Sequence, residues 1–181
     1  TEVRRMLSAA GLKLRELDGV GVMAGPGSFT GVRTGLATAK GFCEAVGLRL
    51  AAVSRLEVLA GAAGLEAGFA ALDAGRGQVY VREQRSGERG MEYLLGVEEL
   101  VARAGGQRVV VAEEKLLEPL SGVQPVLRAL RPADMLGPVR RCFAAGGTDV
   151  AWADANYVVP EDQIYRRLAA GRVKDEDGPR T

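Results

Sequence analysis

Ser28, Thr30 and Arg33 sit among three glycines in Gly25-Pro26-Gly27-Ser28-Phe29-Thr30-Gly31-Val32-Arg33. These residue types, behind an apolar run from Val20 to Ala24, can cradle an anion. Gly25 and Gly27 can take positive φ without steric cost, and Pro26 fixes its own φ between them. Ser28 or Thr30 can cap the free N–H groups at the start of a following helix. A strand, a glycine turn and a helix start together make an anion site possible. The spacing nevertheless departs from both common phosphate loops. A Walker loop needs Gly-Lys-Ser/Thr, whereas Thr30 is followed by Gly31 and Val32. A Rossmann fingerprint needs its third glycine where Thr30 stands.

Other candidate chemistry is sparse. Asp73 falls at a predicted strand end beside a turn, where catalytic carboxylates occur. It also suits an Asx-type turn that accepts backbone N–H bonds. Arg76 at the turn tip could bind an anion or simply be solvated. The chain has no histidine, so Ser28 lacks the partner of a serine–histidine hydrolase and a histidine-bound metal is excluded. Glu98-Glu99 and Glu113-Glu114 are sequence neighbours on predicted helical stretches, so each pair splays apart. Cys43 and Cys142 lack companions at metal spacing, and Cys43 reads as a small buried hydrophobe. The expectation is therefore no catalytic residue, no metal and no cofactor.

The element behind the glycine turn must position these groups, and its pattern is unusual. At about 100° per residue, Val32, Leu36, Ala39, Cys43 and Val46 form one apolar stripe, widened by Phe42. The opposite side carries only small residues: Thr34, Ala37, Thr38, Gly41 and Ala45. Arg33, Lys40 and Glu44 are confined to a narrow third strip. The apolar stripe is explained by packing on the chain's own sheet. The small-residue stripe suits close approach of a further helix, from a partner or from this chain, or it faces solvent.

The segment Gly-Pro-Gly-Ser-Phe-Thr-Gly-Val-Arg-Thr-Gly-Leu36 resembles the signature of the TsaB (YeaZ) family. Val53-Ser-Arg-Leu-Glu-Val-Leu-Ala60 is similar to that family's serine-led helix. Ala71-Leu-Asp-Ala-Gly-Arg-Gly-Gln-Val-Tyr80 is similar to its Asp-Ala-Arg turn and the strand behind it. Asp154-Ala-Asn-Tyr157 resembles the region of its Tyr-Leu-Arg element, with a departure at Val158 and Val159. The resemblance implies a non-catalytic partner in synthesis of threonylcarbamoyladenosine at position 37 of tRNA. It further implies a TsaD-type catalytic subunit as partner, a TsaE-type ATPase in the complex, and contact with tRNA only through that complex. Thr34, Ala37, Thr38, Gly41 and Ala45 would then be partner-binding. Gly25, Pro26, Gly27, Ser28, Thr30, Gly31 and Arg33 would form the signature loop. A homodimer through the same face is the expectation when the partner is absent. The alternative is a nucleotide-dependent phosphotransferase or hydrolase.

The family begins with a strand meander and a helix preceded by a His-Ser element, whereas this chain starts at Thr1 inside what reads as that helix. Such a front would take about 40 residues, so the expectation is an incomplete first lobe. Within the 181 residues, strand and helix signals alternate up to Gly61–Gly64 and then restart. Ser54 with Glu57 three residues later reads as a capping box. Residues 1–64 are expected as the remainder of an N-terminal α/β lobe, 65–168 as a second α/β lobe, and 169–181 as a disordered charged tail. In the second lobe a hairpin over Ala74–Gly77 comes first, and a helix opened by Pro132 and bent at Pro138 comes late. Together these imply an α/β protein of the duplicated actin-like ATPase (ASKHA, ribonuclease H-like) fold.

Composition agrees. Hydrophobic residues make up 47% of the chain, and 24 Lys plus Arg balance 23 Asp plus Glu, so no net basic field exists to hold RNA unaided. No apolar run reaches the ~20 residues of a membrane span. The expected location is the cytoplasm, with no membrane partner.

Overall fold

A computed structural model of the chain describes residues 2–158. Residues 159–181, which include Val159 and the expected tail from residue 169, lie outside the described part, as does Thr1. The chain divides into two units, and each is described by itself. Of the described residues, the first comprises 2–64 and 129–156, the second 65–128 with Tyr157 and Val158. The boundary at Gly64 coincides with the restart of the sequence pattern. The expectation of one contiguous second lobe over 65–168 is corrected, because residues 129–156 return to the first unit.

The first unit contains helix α1 (Glu2–Ala9), strand β1 (Gly19–Met23), helix α2 (Phe29–Val46), strand β2 (Arg49–Val53) and helix α3 (Arg55–Ala62). Helix α5 (Leu136–Ala144) joins it after a 3-10 turn at Pro132–Met135. β1 and β2 pair in parallel from Gly19↔Arg49 to Met23↔Val53, as a crossover through a helix requires. The alternation along β1 explains both layers around this sheet. Val20 and Val22 pack with the core formed by Leu36, Ala39, Cys43, Leu50 and Ala153. Gly19 and Gly21 face the other way. A methyl group at Gly19 would meet Phe143 at 2.5 Å, and one at Gly21 would meet Val139 at 2.7 Å. The two glycines let α5 lie directly on the strand, and that contact brings residues 129–156 back to the first unit.

The apolar stripe of α2 is buried at Leu36, Ala39 and Cys43, while Val32 and Phe42 are half-buried and Val46 is exposed. Burial raises the Cys43 thiol pKa, with the neighbouring Glu44 charge adding to it. Ser54 caps α3 by accepting from Leu56 N–H (3.1 Å) and Glu57 N–H (3.4 Å). Glu57, expected to close a capping box, instead pairs with Arg141 of α5 at 3.0 Å. Pro138 does not bend a long helix. It is the third residue of α5, in the first turn, where a missing N–H costs nothing. The long helix expected from Pro132 is divided into a 3-10 turn and α5.

The second unit is a five-stranded sheet in the order β5-β4-β3-β6-β7. Its strands are β3 (Gly68–Gly75), β4 (Gln78–Gln84), β5 (Met91–Gly96), β6 (Val109–Val111) and β7 (Val126–Leu127), with helix α4 (Val97–Ala104) between β5 and β6. β3, β4 and β5 are antiparallel neighbours. β3–β6 and β6–β7 are parallel. Alternate residues Phe69, Ala71, Val79, Val81, Tyr93, Leu95, Val109 and Val111 share one core with Leu100 and Ala104 of α4, as the two-residue strand period dictates. Arg76 (φ 55°) and Gly77 (φ 74°) form the hairpin turn itself, with positive φ at both central positions as a type I′ turn needs. β7 has only two residues and carries no periodic signal, so the sequence did not announce it.

Candidate functional site

The glycine loop is anchored from three directions within the first unit. Ala24 N–H donates to Val53 C=O at 2.9 Å, which extends the β1–β2 pairing. Gly25 C=O accepts from Arg55 N–H (2.7 Å), and Ala24 C=O accepts from Asn156 N–H (2.6 Å). Gly25 has φ 111°, and a side chain there would meet the Asn156 carbonyl at 3.1 Å, so the position needs glycine on both counts. Ala24, Gly25 and Pro26 are buried, whereas Gly27, Ser28, Thr30 and Gly31 are exposed. Ser28 is the cap, accepting from Gly31 N–H at 3.4 Å. Arg33 lies over the exposed Phe29 ring, 4.0 Å from its centroid. The loop therefore fixes where α2 begins. Asn156, from the segment weakest in sequence signal, is the contact that sequence reasoning did not assign.

All five small-stripe residues of α2, Thr34, Ala37, Thr38, Gly41 and Ala45, are exposed. A methyl group placed at Gly41 would have no atom within 4 Å. Among the described residues, no helix of the first unit covers this face. α1 also keeps its apolar side in solvent: Met6 is 68% exposed and Val3 38%. A groove of about 350 Å³ runs where Val3, Leu7, Leu12 and Leu14 approach Phe42 of α2. An apolar helix beside a helix face of small residues offers closely approachable backbone flanked by hydrophobic side chains.

In the second unit Asp73 stands at the end of β3, with Lys115 bonded to its Oδ2. That bond, helped by the Gly75 N–H and opposed by partial burial, holds the Asp73 carboxyl below its usual range. The Asp73 N–H donates to Glu113 at 3.3 Å. The carboxylate is thus engaged by a turn N–H and an ammonium, and Lys115 is a partner that sequence spacing could not reveal. Arg76 occupies the turn tip, in the left-handed region at φ 55°. Among the described residues, no group of three His, Cys, Asp or Glu side chains is placed to hold a metal, and no helix is long and apolar enough to cross a membrane.

A polar cluster in the second unit was not foreseen either. Glu83, whose side chain is 12% exposed, accepts from the buried Tyr93 hydroxyl (2.5 Å), Arg103 (3.0 Å) and Arg85 (2.7 Å). Burial pushes the Glu83 pKa up, but the Tyr93 and Arg85 hydrogen bonds and the two arginine charges outweigh it, so the net shift is downward. A depressed carboxylate contributes stability that is present above its unfolded-state pKa and lost as pH falls through the folded-state value. Glu83→Gln is expected to cost about 1–3 kcal/mol at pH 7. The gap between variant and native chain should narrow as the pH is lowered below ~4. Urea melts of both proteins across pH 3–7 test this; a constant gap over that range would refute it.

Residues 1–118 match the family model described as TsaD: tRNA N6-adenosine threonylcarbamoyltransferase. A tRNA N6-adenosine threonylcarbamoyltransferase of Cereibacter sphaeroides is 50% identical over 54 residues, covering 30% of this chain and 15% of that protein. The tRNA threonylcarbamoyladenosine biosynthesis protein TsaB of Escherichia coli is 36% identical over 93 residues, covering 49% of this chain and 40% of that protein. The matched stretches thus span less than half the length of these curated relatives. Among solved structures, YeaZ from Pseudomonas aeruginosa matches with a TM-score of 0.70 at 30% identity, over 86% of this chain and 81% of that one. A second Pseudomonas aeruginosa structure, described as an uncharacterized protein with similarity to peptidase YEAZ, gives 0.69 at 28% identity, over 86% and 80%. The α/β architecture is that of the actin-like, TsaD-like fold family.

Proposed function

Because the chain belongs to the TsaD family and is of the TsaB (YeaZ) type, we propose that it is a non-catalytic subunit in tRNA threonylcarbamoyladenosine synthesis. It supports a TsaD-type catalytic subunit by helix-against-helix docking through α1 and the small-residue face of α2. The observation that carries this reading is the exposed stripe Thr34, Ala37, Thr38, Gly41 and Ala45, with open space above Gly41. A TsaE-type ATPase would join the same complex in the cytoplasm, and tRNA would be met only through it. The same surface would form a two-fold homodimer when the catalytic subunit is absent.

The 54-residue match to transferases favours a second reading, a catalytic member of the actin-like fold acting on a nucleotide. Reconstitution separates the two. The purified chain alone is expected to hydrolyse neither nucleotide nor peptide and to leave tRNA unmodified. Modification is expected only when the TsaD-type subunit, the ATPase, threonylcarbamoyl-adenylate and tRNA are all supplied. Turnover by the chain alone that survives repurification and disappears in Asp73→Ala would establish the catalytic reading instead.

A further inference from the structure

Trp152 is 85% exposed, the most exposed large apolar side chain among the described residues. Single exposed hydrophobic residues are ordinary on a protein surface. This one differs in how firmly its backbone is held. Asp149 Oδ1 accepts from the N–H groups of Ala151 (2.8 Å) and Trp152 (3.4 Å), and Asp149 C=O accepts from Ala153 N–H (2.9 Å). Lys40 of α2 donates to the carbonyls of Ala151 and Ala153, each at 3.2 Å. On either side of the indole, Val150 and Ala153 pack into the core against Leu36, Ala39 and Cys43 of α2. Five hydrogen bonds and two core contacts thus fix a turn whose central side chain has little to pack on within its own unit.

We infer that Trp152 is an anchor residue of the α2 docking surface, buried by the TsaD-type subunit when the two proteins pair. The inference rests on the docking reading above. Its own support is adjacency: Lys40, which clamps the turn, lies on the polar strip of α2 that borders the small-residue stripe, one turn from Ala37, so the turn is held along the edge of the face that carries the stripe. Tryptophan is enriched among residues that dominate binding energy. A turn ordered in advance gives up little freedom on binding, so burial of its indole is retained as affinity.

The chain has one tryptophan, which makes the test specific. The full chain labelled with 5-fluorotryptophan gives one ¹⁹F resonance, recorded with and without saturating unlabelled TsaD-type subunit. The expected result is a shifted, broadened signal that loses its H₂O/D₂O isotope shift. Trp152→Ala is expected to weaken binding about tenfold or more with an unchanged melting temperature, and Trp152→Phe to recover part of it. An unmoved resonance, or Trp152→Ala binding within about twofold of native, overturns the inference. If Gly41→Leu abolishes binding in that case, the docking reading stands and only the role of Trp152 falls. If the native chain does not bind the TsaD-type subunit at all, both fall. A signal that moves with concentration of this chain alone, and no further on adding the subunit, makes a second copy the occupant and overturns the partner named here.

Discussion

Gly41→Leu is expected to abolish binding to the TsaD-type subunit while leaving the chain folded. Nothing lies within 4 Å of a side chain added at Gly41, so the substitution creates no clash within the described residues of the chain. Replacing a mid-helix glycine also removes its entropic penalty, a gain of about 0.5–1 kcal/mol. The variant should therefore melt at or slightly above the native temperature. In the complex the outcome reverses. Helix axes pack about 8–10 Å apart, and an isobutyl group at the centre of a stripe of small residues holds them further apart. Overpacking of this kind costs about 1–3 kcal/mol and occasionally more, and at the upper end, expected where helix backbones approach closely, about 3 kcal/mol is over a hundredfold in affinity. Calorimetric titration together with thermal melts reads both effects. Native-like binding would remove the small-residue face from the interface. Wholesale unfolding would mean that the face is covered by the chain itself.

Gly68→Ala should have the opposite profile, a large loss of stability that begins in the second unit. Gly68 opens β3 at φ 118°, a conformation that side chains rarely adopt. A Cβ there would stand 2.3 Å from the Arg108 carbonyl oxygen. That oxygen accepts the Phe69 N–H at 2.8 Å, at the point where β3 meets β6. Relief requires β3 to move away from β6, opening a core that contains the fully buried Phe69, Val109 and Val111. Backbone strain of about 1–3 kcal/mol adds to the lost packing, and we expect about 3–5 kcal/mol in total. Chemical denaturation of the variant beside Gly61→Ala, where a methyl group meets nothing within 4 Å, checks the assignment. Equal midpoints for the two variants would show that β3 tolerates a side chain at residue 68.

Much of the fold was legible because its signals are local. The two faces of α2 follow from spacing along one helix. Its cap is a serine three residues before the N–H it satisfies, and the β3–β4 hairpin is bracketed by glycines. The candidate face was legible for the same reason: a helix with two non-polar sides must have a second thing to touch, or remain exposed. The error over residues 129–156 came from sequence order, since a helix following the second set of strands was assigned to them.

The sequence by itself determined the longer elements up to β6, the family likeness of the glycine loop, and the absence of imidazole chemistry, because each is a property of residue type and short-range spacing. Tertiary structure alone decided three things. α5 returns to cover Gly19 and Gly21, because a glycine in a strand shows that something approaches without showing what. Asn156 closes on Ala24, because a backbone hydrogen bond is indifferent to residue type. Lys115 occupies the Asp73 carboxylate, because an ion pair across 42 positions has no periodicity to read. In each case the partner lies far along the chain, where pairing is set by which surfaces fit together and not by any pattern within a single segment.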